Sequence, residues 1–338
     1  MDDACTDASK RSALITYTIN GADECVKIAC ERYKAVPSHT VISTWYAFLL
    51  RHFIRPYQTQ LYKPRVSRLL FVRGQTARFS RATDIDKHYF SGPGMIYLDK
   101  VSKFACDIIQ QTDGQPIRRF EHIFDRLFID ESQDLAGYDL ELVEYLLKSA
   151  TDIILVGDYR QATYTTNDSG KNKKYVRSNI VEKFKAWEAA KLCDIEYQTS
   201  SRRCVQEICD FADLFFPTAP KTRSLNTVAT GHDGIFAVER RHVADYCARF
   251  QPQPLRYTRT HVVAAGKPIN FGAAKGMTFD RTLIYPHGPL RKYLETGKLA
   301  DAAKEIPKLY VAVTRARQSA AFVIEDGMAL ATVARYQP

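Results

Sequence analysis

The chain lacks features that would place it in a membrane or in the secretory pathway. None of its apolar runs approaches the ~20 residues that a membrane-spanning helix needs. Met1 is followed by Asp2 and Asp3, which contradicts the basic start of a signal peptide. We therefore expect a cytoplasmic protein that has no membrane partner.

Metal-binding cysteine patterns are also missing, since none of the 8 cysteines forms a CxxC pair. The closest pairs, Cys25 with Cys30 and Cys204 with Cys209, lie in predicted helices, where five-residue spacing gives poor zinc geometry. We interpret the cysteines as reduced and mostly packed thiols. Internal repeats and low-complexity tracts are absent from the sequence as well.

What the chain does have is length and positive charge. Its 338 residues are enough for two ordinary domains with buried cores. Lys and Arg number 48 against 38 Asp and Glu, which gives a net charge of +10. This excess suits a polyanionic partner, and nucleic acid is the first candidate. The charge alone is about equally consistent with a basic protein that has no such partner.

Strand-like and helix-like segments alternate along the chain. This rhythm is typical of a parallel sheet covered by helices. In the first half, strands are predicted at 14–18, 40–43, 126–129 and 152–156, and helices at 22–33, 44–52 and 140–147. A second series begins near 192, with helices at 205–215 and 309–315 and strands at 234–237, 282–285 and 321–324. We predict two α/β domains, 1–190 and 191–338, with a basic, Tyr- and Phe-rich subdomain inserted over about 57–119.

Carboxylates follow the strand predicted at 126–129. Asp130 and Glu131 come first, and Gln133 lies in the same turn. Ligands of α/β proteins bind at the carboxyl edge of the sheet. Asp130 could hold Mg²⁺ there, and Glu131 could take a proton from an attacking water. An acidic first turn of the following helix is the alternative explanation.

The next strand ends in a similar way. Residues 153–156 run into Gly157 and Asp158, and Gln161 and Tyr164 follow. Glycine lets the chain turn tightly off the strand. Gln161 could bind a γ-phosphate, and Tyr164 could present its ring to a base. Either strand end alone would be ordinary, but two together indicate a nucleotide site.

These segments resemble motifs of superfamily 1 DNA helicases of the UvrD/Rep type. DESQD at 130–134 resembles the extended Walker B motif, and GDYRQATY at 157–164 resembles the motif that follows it. Further motifs appear in the family's order at 15–18 (ITYT), 43–48 (STWYAF), 200–204 (SSRRC), 269–280 (INFGAAKGMTFD) and 309–317 (LYVAVTRAR). Trp45 and Tyr46 replace the family's Phe and His, and Ile19 and Asn20 replace its Asn-Lys pair. The resemblance covers about 14–325.

The resemblance implies two RecA-like parallel-sheet domains of the P-loop NTPase type, the first of them incomplete at its N-terminus. It also implies an ATP-dependent motor that moves 3′ to 5′ on single-stranded DNA. Asp130 would position Mg²⁺, Glu131 would activate water and Gln161 would contact the γ-phosphate. Arg203 and Arg315 would act as arginine fingers. Further nucleotide contacts would fall on Gln133, Gly157, Asp158, Gly276 and Thr278, although the family usually has Glu at the position of Thr278.

DNA contacts are implied for Thr18, Trp45 and Tyr164, because aromatic rings stack on bases without regard to sequence. Core packing is the alternative for Trp45. A polar loop adds Lys171, Lys173 and Lys174, which could contact phosphates or lie in a solvated loop.

The phosphate-binding loop of such a motor is missing from the sequence. Gly-Lys pairs occur at 170–171, 266–267 and 297–298, and none is followed by Ser or Thr. The loop lies upstream of the ITYT strand in the family. The chain could therefore be a truncated or mis-started copy, a natural variant without the loop, or a subunit whose partner supplies it. Its short second insertion resembles compact helicases that act beside a nuclease, some of them in phage defence. A DNA-binding or regulatory subunit without turnover is the alternative function.

Overall fold

The computed structural model describes residues 1–163, 165–166, 169–260, 263, 266–331 and 333–338. The chain forms two compact units, Met1–Ile195 and Glu196–Pro338. The domain boundary placed at 190/191 from the sequence falls directly after the last helix of the first unit, so the connecting residues stay with that unit.

The first unit contains a parallel sheet, a small mixed sheet and flanking helices. Its strands are β1 (Ser12–Thr16), β2 (Thr40–Thr44), β3 (Arg68–Leu70), β4 (Phe90–Gly92), β5 (Met95–Tyr97), β6 (Arg126–Ile129) and β7 (Asp152–Leu155). Its helices are α1 (Asp2–Thr6), α2 (Ile19–Tyr33), α3 (Trp45–Leu49), α4 (Ile85–Tyr89), α5 (Val101–Gln111), α6 (Gln115–Ile123), α7 (Tyr138–Leu147) and α8 (Ile180–Ala189). A π-helical turn, Leu50–Ile54, continues α3.

The main sheet of the first unit has the order β2-β1-β6-β7, and all of its neighbouring strands are parallel. All five residues of β1 are buried, as expected for a strand covered on both faces. This strand ends at Thr16, two residues before the predicted end. Thr18 instead caps α2, because its hydroxyl accepts a hydrogen bond from the Gly21 amide at 3.0 Å.

The small sheet, with the order β3-β5-β4, lies inside the predicted insertion. Helix α5 lies at the end of the same predicted range but packs against α7 and belongs to the core of the first unit. It does so because Val101, Phe104, Ala105, Ile108 and Ile109 share one apolar face at helical spacing and are all buried.

The second unit is a six-stranded parallel sheet with helices packed on it. Its strands are β8 (Ser200–Ser201), β9 (Arg223–Ser224), β10 (Gly234–Glu239), β11 (Gln253–Arg256), β12 (Ile269–Asn270), β13 (Phe279–Tyr285), β14 (Ala316–Ile324) and β15 (Ala334–Arg335). Its helices are α9 (Gln206–Asp213), α10 (Val243–Phe250), α11 (Gly288–Thr296) and α12 (Ile306–Thr314). The sheet order is β12-β11-β13-β14-β10-β15, with the short pair β8–β9 apart from it.

Both units are α/β domains built on parallel sheets, which confirms the predicted fold class. The eight cysteines are free thiols, and Cys5, Cys106, Cys204 and Cys209 are buried among them. No described helix has both the length and the apolar character needed to cross a bilayer.

Candidate nucleotide and nucleic-acid site

The carboxylates at the end of β6 are fixed by the backbone of neighbouring strands. The Asp130 amide donates to the Ile15 carbonyl at 2.8 Å, and the Asp130 carboxylate accepts from the Glu131 amide at 2.9 Å. Glu131 has a φ of +55°, in the left-handed region that costs a non-glycine residue free energy. Asp130 is exposed and Glu131 is half-buried, so both carboxylates stand at the edge of the sheet.

Gln133 connects this strand end to the end of β7. Its side chain is almost completely buried, with a 1% exposed fraction. The side-chain Nε2 donates to a Glu131 carboxylate oxygen, and Oε1 accepts from the Asp158 amide at 3.0 Å. The Gln133 side chain therefore bonds both to the Glu131 carboxylate and to the turn after β7, and so fixes their relative positions.

Asp158 extends the connection to Gln161. Its Oδ1 accepts from Arg160 Nε at 2.9 Å, and its Oδ2 accepts from Gln161 Nε2 at 3.0 Å. We call the hydrogen-bonded series Glu131–Gln133–Asp158–Gln161 the carboxyl-edge relay. It joins four of the residues predicted from the two strand ends.

Gly157 lets the two strand ends approach each other. A Cβ at this position would lie 2.4 Å from Gln133 Oε1 and 2.7 Å from Ser132 Oγ, closer than real contacts allow. Because both neighbours are buried, they have little room to move. A residue without a Cβ is thus required for the relay to form.

We expect Gly157→Ala to lower the free energy of unfolding by roughly 1–3 kcal/mol, because the new methyl group overpacks this contact. Urea unfolding would measure the loss. Gly170→Ala is the matched control, since a Cβ at Gly170 would meet no atom within 4 Å. Equal stability of the two variants would contradict the assigned role of Gly157.

The Asp130 and Glu131 carboxylates at the end of β6 form a candidate site for a divalent cation. No group of three or more Asp, Glu, His or Cys side chains that could hold a metal was found among the described residues. Mg²⁺ needs no such group, since it keeps several waters and commonly takes one or two carboxylates. The exposed Asp130 carboxylate, with Glu131 beside it, fits a hydrated Mg²⁺.

A buried carboxylate that the sequence did not single out lies behind these strand ends. Asp139 is completely buried and accepts hydrogen bonds from Trp45 Nε1 at 2.9 Å, from the Thr166 hydroxyl at 2.5 Å and from the Ser102 hydroxyl. Burial raises the pKa of Asp139 above its ordinary value of 3.8. Its only sequence signal, an acid at the start of a helix, is common to many helices.

Trp45 is a core residue in this structure and not an exposed platform. Only 1% of it is exposed, and its indole N–H is bonded to Asp139. The ring that was predicted to stack on a base is therefore not exposed. Core packing, the alternative interpretation of Trp45, agrees with the structure. A buried indole needs a hydrogen-bond partner, which explains why the ring turns inward towards Asp139.

Two neighbouring phenols are enclosed as well, with Tyr46 buried and Tyr17 half-buried. Tyr17 and Tyr46 are hydrogen-bonded through their hydroxyls, and Tyr46 donates to the Thr166 carbonyl at 3.1 Å. Burial raises the pKa of both phenols well above 10, so both stay neutral. Thr166 thus connects the segment after β7 to Asp139 and to the end of β1.

The remaining residues predicted to bind DNA lie at the surface where they are described. Thr18 is exposed at the start of α2. Lys171, Lys173 and Lys174 are exposed, with Lys171 3.5 Å from a Glu141 carboxylate oxygen. Tyr164 lies outside the described residues.

In the second unit, the two predicted arginine fingers lie close together. Arg203 donates to the Thr314 carbonyl at 3.3 Å, and Arg315 donates to the carbonyls of Val311 at 3.2 Å and Met277 at 3.3 Å. Arg315 is 1% exposed, so its guanidinium is enclosed by these carbonyls here. A role as a finger would require the Arg315 side chain to leave them.

The segment before β13 lies at the same end of the second sheet as these two arginines. Gly276 is exposed with a φ of +82°, and a Cβ there would meet no atom within 4 Å. Thr278 is half-buried and lines a cavity of about 730 Å³ together with Phe250, Arg281 and Arg317. The amino ends of β13 and β14 therefore gather Arg203, Arg315, Gly276 and Thr278 within one unit.

Comparisons with known proteins give a likeness of fold. No protein-family model matches the chain, and no curated protein matches it. A PRRSV helicase is similar at 16% identity and a TM-score of 0.38, over 99% of this chain and 58% of that one. An arterivirus nonstructural protein 10 (helicase) in complex with DNA is similar at 14% identity and a TM-score of 0.44, over 95% and 57%. The chain spans less than two thirds of these structures, and likenesses with TM-scores below 0.5 carry no argument about its activity.

Proposed function

We propose that the chain is a motor module of a superfamily 1 DNA helicase of the UvrD/Rep type, driven by ATP and Mg²⁺ and moving 3′ to 5′ on single-stranded DNA. The observation that carries this proposal is the carboxyl-edge relay. It connects the carboxylate expected to activate water with the glutamine expected to contact the γ-phosphate. Such a connection is what a motor needs to link hydrolysis to a bound strand.

Each residue of this edge has a chemical role in the proposal. Asp130 holds a hydrated Mg²⁺, which supplies charge neutralisation when bound. Glu131 accepts a proton from water, and the hydrogen bond from Gln133 orients its carboxylate. Gln161 is half-buried beside Asp158, placed to exchange this partner for a phosphate oxygen.

DNA would meet the first unit near the same edge. Thr18 is exposed there, Tyr164 follows Gln161 in the sequence, and Lys171, Lys173 and Lys174 are exposed on the loop after it. Lysine contacts to phosphates would weaken with salt.

The phosphates of ATP need a loop that the Gly-Lys pairs of this chain do not provide, because Ser or Thr follows none of them. The first sheet offers a place for one. β7 is an edge strand in the described structure, and Val156 just beyond it is 51% exposed. A further parallel strand added there would end beside Gly157, so a loop following it would lie next to Glu131.

The second candidate is a DNA-binding or regulatory subunit without turnover, acting with a partner such as a nuclease. The enclosed guanidinium of Arg315 favours it.

ATP hydrolysis with and without single-stranded DNA separates the two candidates, measured beside DNA affinity at several salt concentrations. DNA-stimulated hydrolysis supports the motor. DNA binding that weakens with salt, without hydrolysis, supports the second candidate. If the chain neither hydrolyses ATP nor binds DNA, both proposals fail.

A further inference from the structure

The loop between β3 and α4 exposes an unusual amount of apolar side chain. Phe71 is 73% exposed, Val72 48% and Phe79 100%. Single exposed apolar residues are normal on a protein surface, but three within a nine-residue stretch indicate a surface that binds something. We call residues 71–81 the arginine–phenylalanine loop.

The same loop lies in a strongly basic segment. Residues 61–83 contain six Lys and Arg and no Asp or Glu. Arg73, Arg78 and Arg81 are exposed beside the two phenylalanines. Of the acids that follow, Asp84 pairs with Lys87 at 3.2 Å, Asp99 pairs with Lys100 at 3.8 Å, and Asp86 is exposed on α4. Neither pair involves an arginine of the loop, so the positive charge of the loop can attract a ligand of opposite charge.

The loop is anchored at two points, which keeps its rings outward. The amide of Thr76 donates to Asp99 Oδ2 at 3.0 Å, and its hydroxyl donates to Oδ1 at 2.5 Å. Ser80 is hydrogen-bonded to His88 on α4, with 3.0 Å between its hydroxyl and the ring Nδ1. Thr76 is buried, whereas Phe79, between the two anchors, is fully exposed. An anchored ring loses less conformational entropy on binding than one on a mobile tail.

We propose that the arginine–phenylalanine loop binds single-stranded nucleic acid, with Phe71 and Phe79 stacking on bases and Arg73, Arg78 and Arg81 contacting phosphates. Stacking rings interleaved with cations are how proteins bind single strands without sequence preference. The surface lies outside every helicase-like motif of the chain, so it goes beyond the proposed function and adds a second contact with the strand.

Nucleic acid is favoured over an acidic protein or an anionic membrane by the order of the residues. Each ring of the loop lies within two residues of a cation, Phe71 before Arg73 and Phe79 between Arg78 and Arg81. A strand of nucleic acid presents a phosphate beside every flat base. An anionic membrane or an acidic protein would satisfy the charge but would offer no matching flat faces.

The test uses the full chain and a labelled oligo-dT, with fluorescence anisotropy as the readout. We expect the double variant Phe71→Ala/Phe79→Ala to weaken binding by about 30-fold or more at fixed salt, because two stacking contacts of roughly 1–3 kcal/mol each are lost. Its affinity for an abasic oligonucleotide of the same length should stay unchanged. The triple variant Arg73→Gln/Arg78→Gln/Arg81→Gln should reduce the salt slope by about 2, since each phosphate contact to a single strand contributes about 0.7.

Leu214→Ala and Arg240→Gln are matched controls, because Leu214 is 48% exposed and Arg240 is exposed in the second unit. If the wild-type chain binds oligo-dT and the phenylalanine variant binds equally well, the loop assignment is overturned while the proposed function stands. The same holds if the variant loses binding to anionic vesicles and keeps its affinity for oligo-dT. If the wild-type chain binds no oligo-dT, the loop assignment and DNA binding by the motor edge fail together.

Discussion

Glu131→Gln should lower DNA-stimulated ATP hydrolysis by about 100-fold or more, because general-base catalysis contributes about 10²–10⁴-fold. Glutamine keeps the size of the side chain and can still pair with Gln133, but it cannot accept a proton from water. The affinity for single-stranded DNA should stay unchanged. Steady-state hydrolysis at saturating DNA, measured beside anisotropy, gives both quantities.

The matched control is Glu182→Gln, an exposed glutamate on α8 that pairs with Lys185 at 3.0 Å. It should hydrolyse ATP at the wild-type rate. If Glu131→Gln keeps the full rate, Glu131 is not the base. In that case the left-handed backbone of Glu131 would need another explanation than catalysis.

Asp139→Ala is expected to destabilise the first unit by about 3–5 kcal/mol, since removing one member of a buried polar network leaves its partners unsatisfied. The partners are Trp45 Nε1 and the hydroxyls of Ser102 and Thr166. The melting temperature of this unit should fall by roughly 6–20 °C. Calorimetry would measure this loss.

Two further variants distinguish the loss of the buried hydrogen-bond network from the loss of an acidic side chain as such. Asp152→Ala removes an acid whose side chain is 64% exposed and should change the melting temperature little. Asp139→Asn keeps the shape and removes the charge. Because burial raises the pKa of Asp139, its stabilising contribution is largest below pH 3.8 and is lost as the pH rises through the raised pKa. Asp139→Asn should lack that part of the pH dependence, and an unchanged profile would contradict the assignment.

The four strands of the main sheet in the first unit could be predicted from the sequence because their signals are local, whereas the short strands β3, β4 and β5 were not predicted. Apolar and β-branched runs at 126–129 and 152–156 correspond to β6 and β7, and parallel pairing then places their polar ends at one edge. For the relay, the sequence indicated only that the polar residues at the two strand ends lie close together. Which atoms bond depends on side-chain directions that a pattern does not contain, as for Gln133 between Glu131 and Asp158.

Long-range contacts explain what the sequence could not show. Trp45 occupies a motif position typical of base stacking, but its hydrogen-bond partner Asp139 is 94 residues away. The guanidinium of Arg315 is enclosed in part by the carbonyl of Met277, 38 residues earlier. The inserted subdomain could be identified as basic and aromatic, but the exposure of Phe79 depends on how Thr76 and Ser80 anchor the loop.

The ratio of ATP hydrolysis with and without single-stranded DNA, measured for the wild type and for Gln133→Ala, shows whether the carboxyl-edge relay links hydrolysis to the bound strand. If the relay links the catalytic carboxylate to the DNA-contacting segment, the wild type shows stimulation by DNA. Gln133→Ala then binds DNA as the wild type does, and its ratio falls close to one. Full stimulation in Gln133→Ala, or none in the wild type, would show that the relay does not link hydrolysis to DNA.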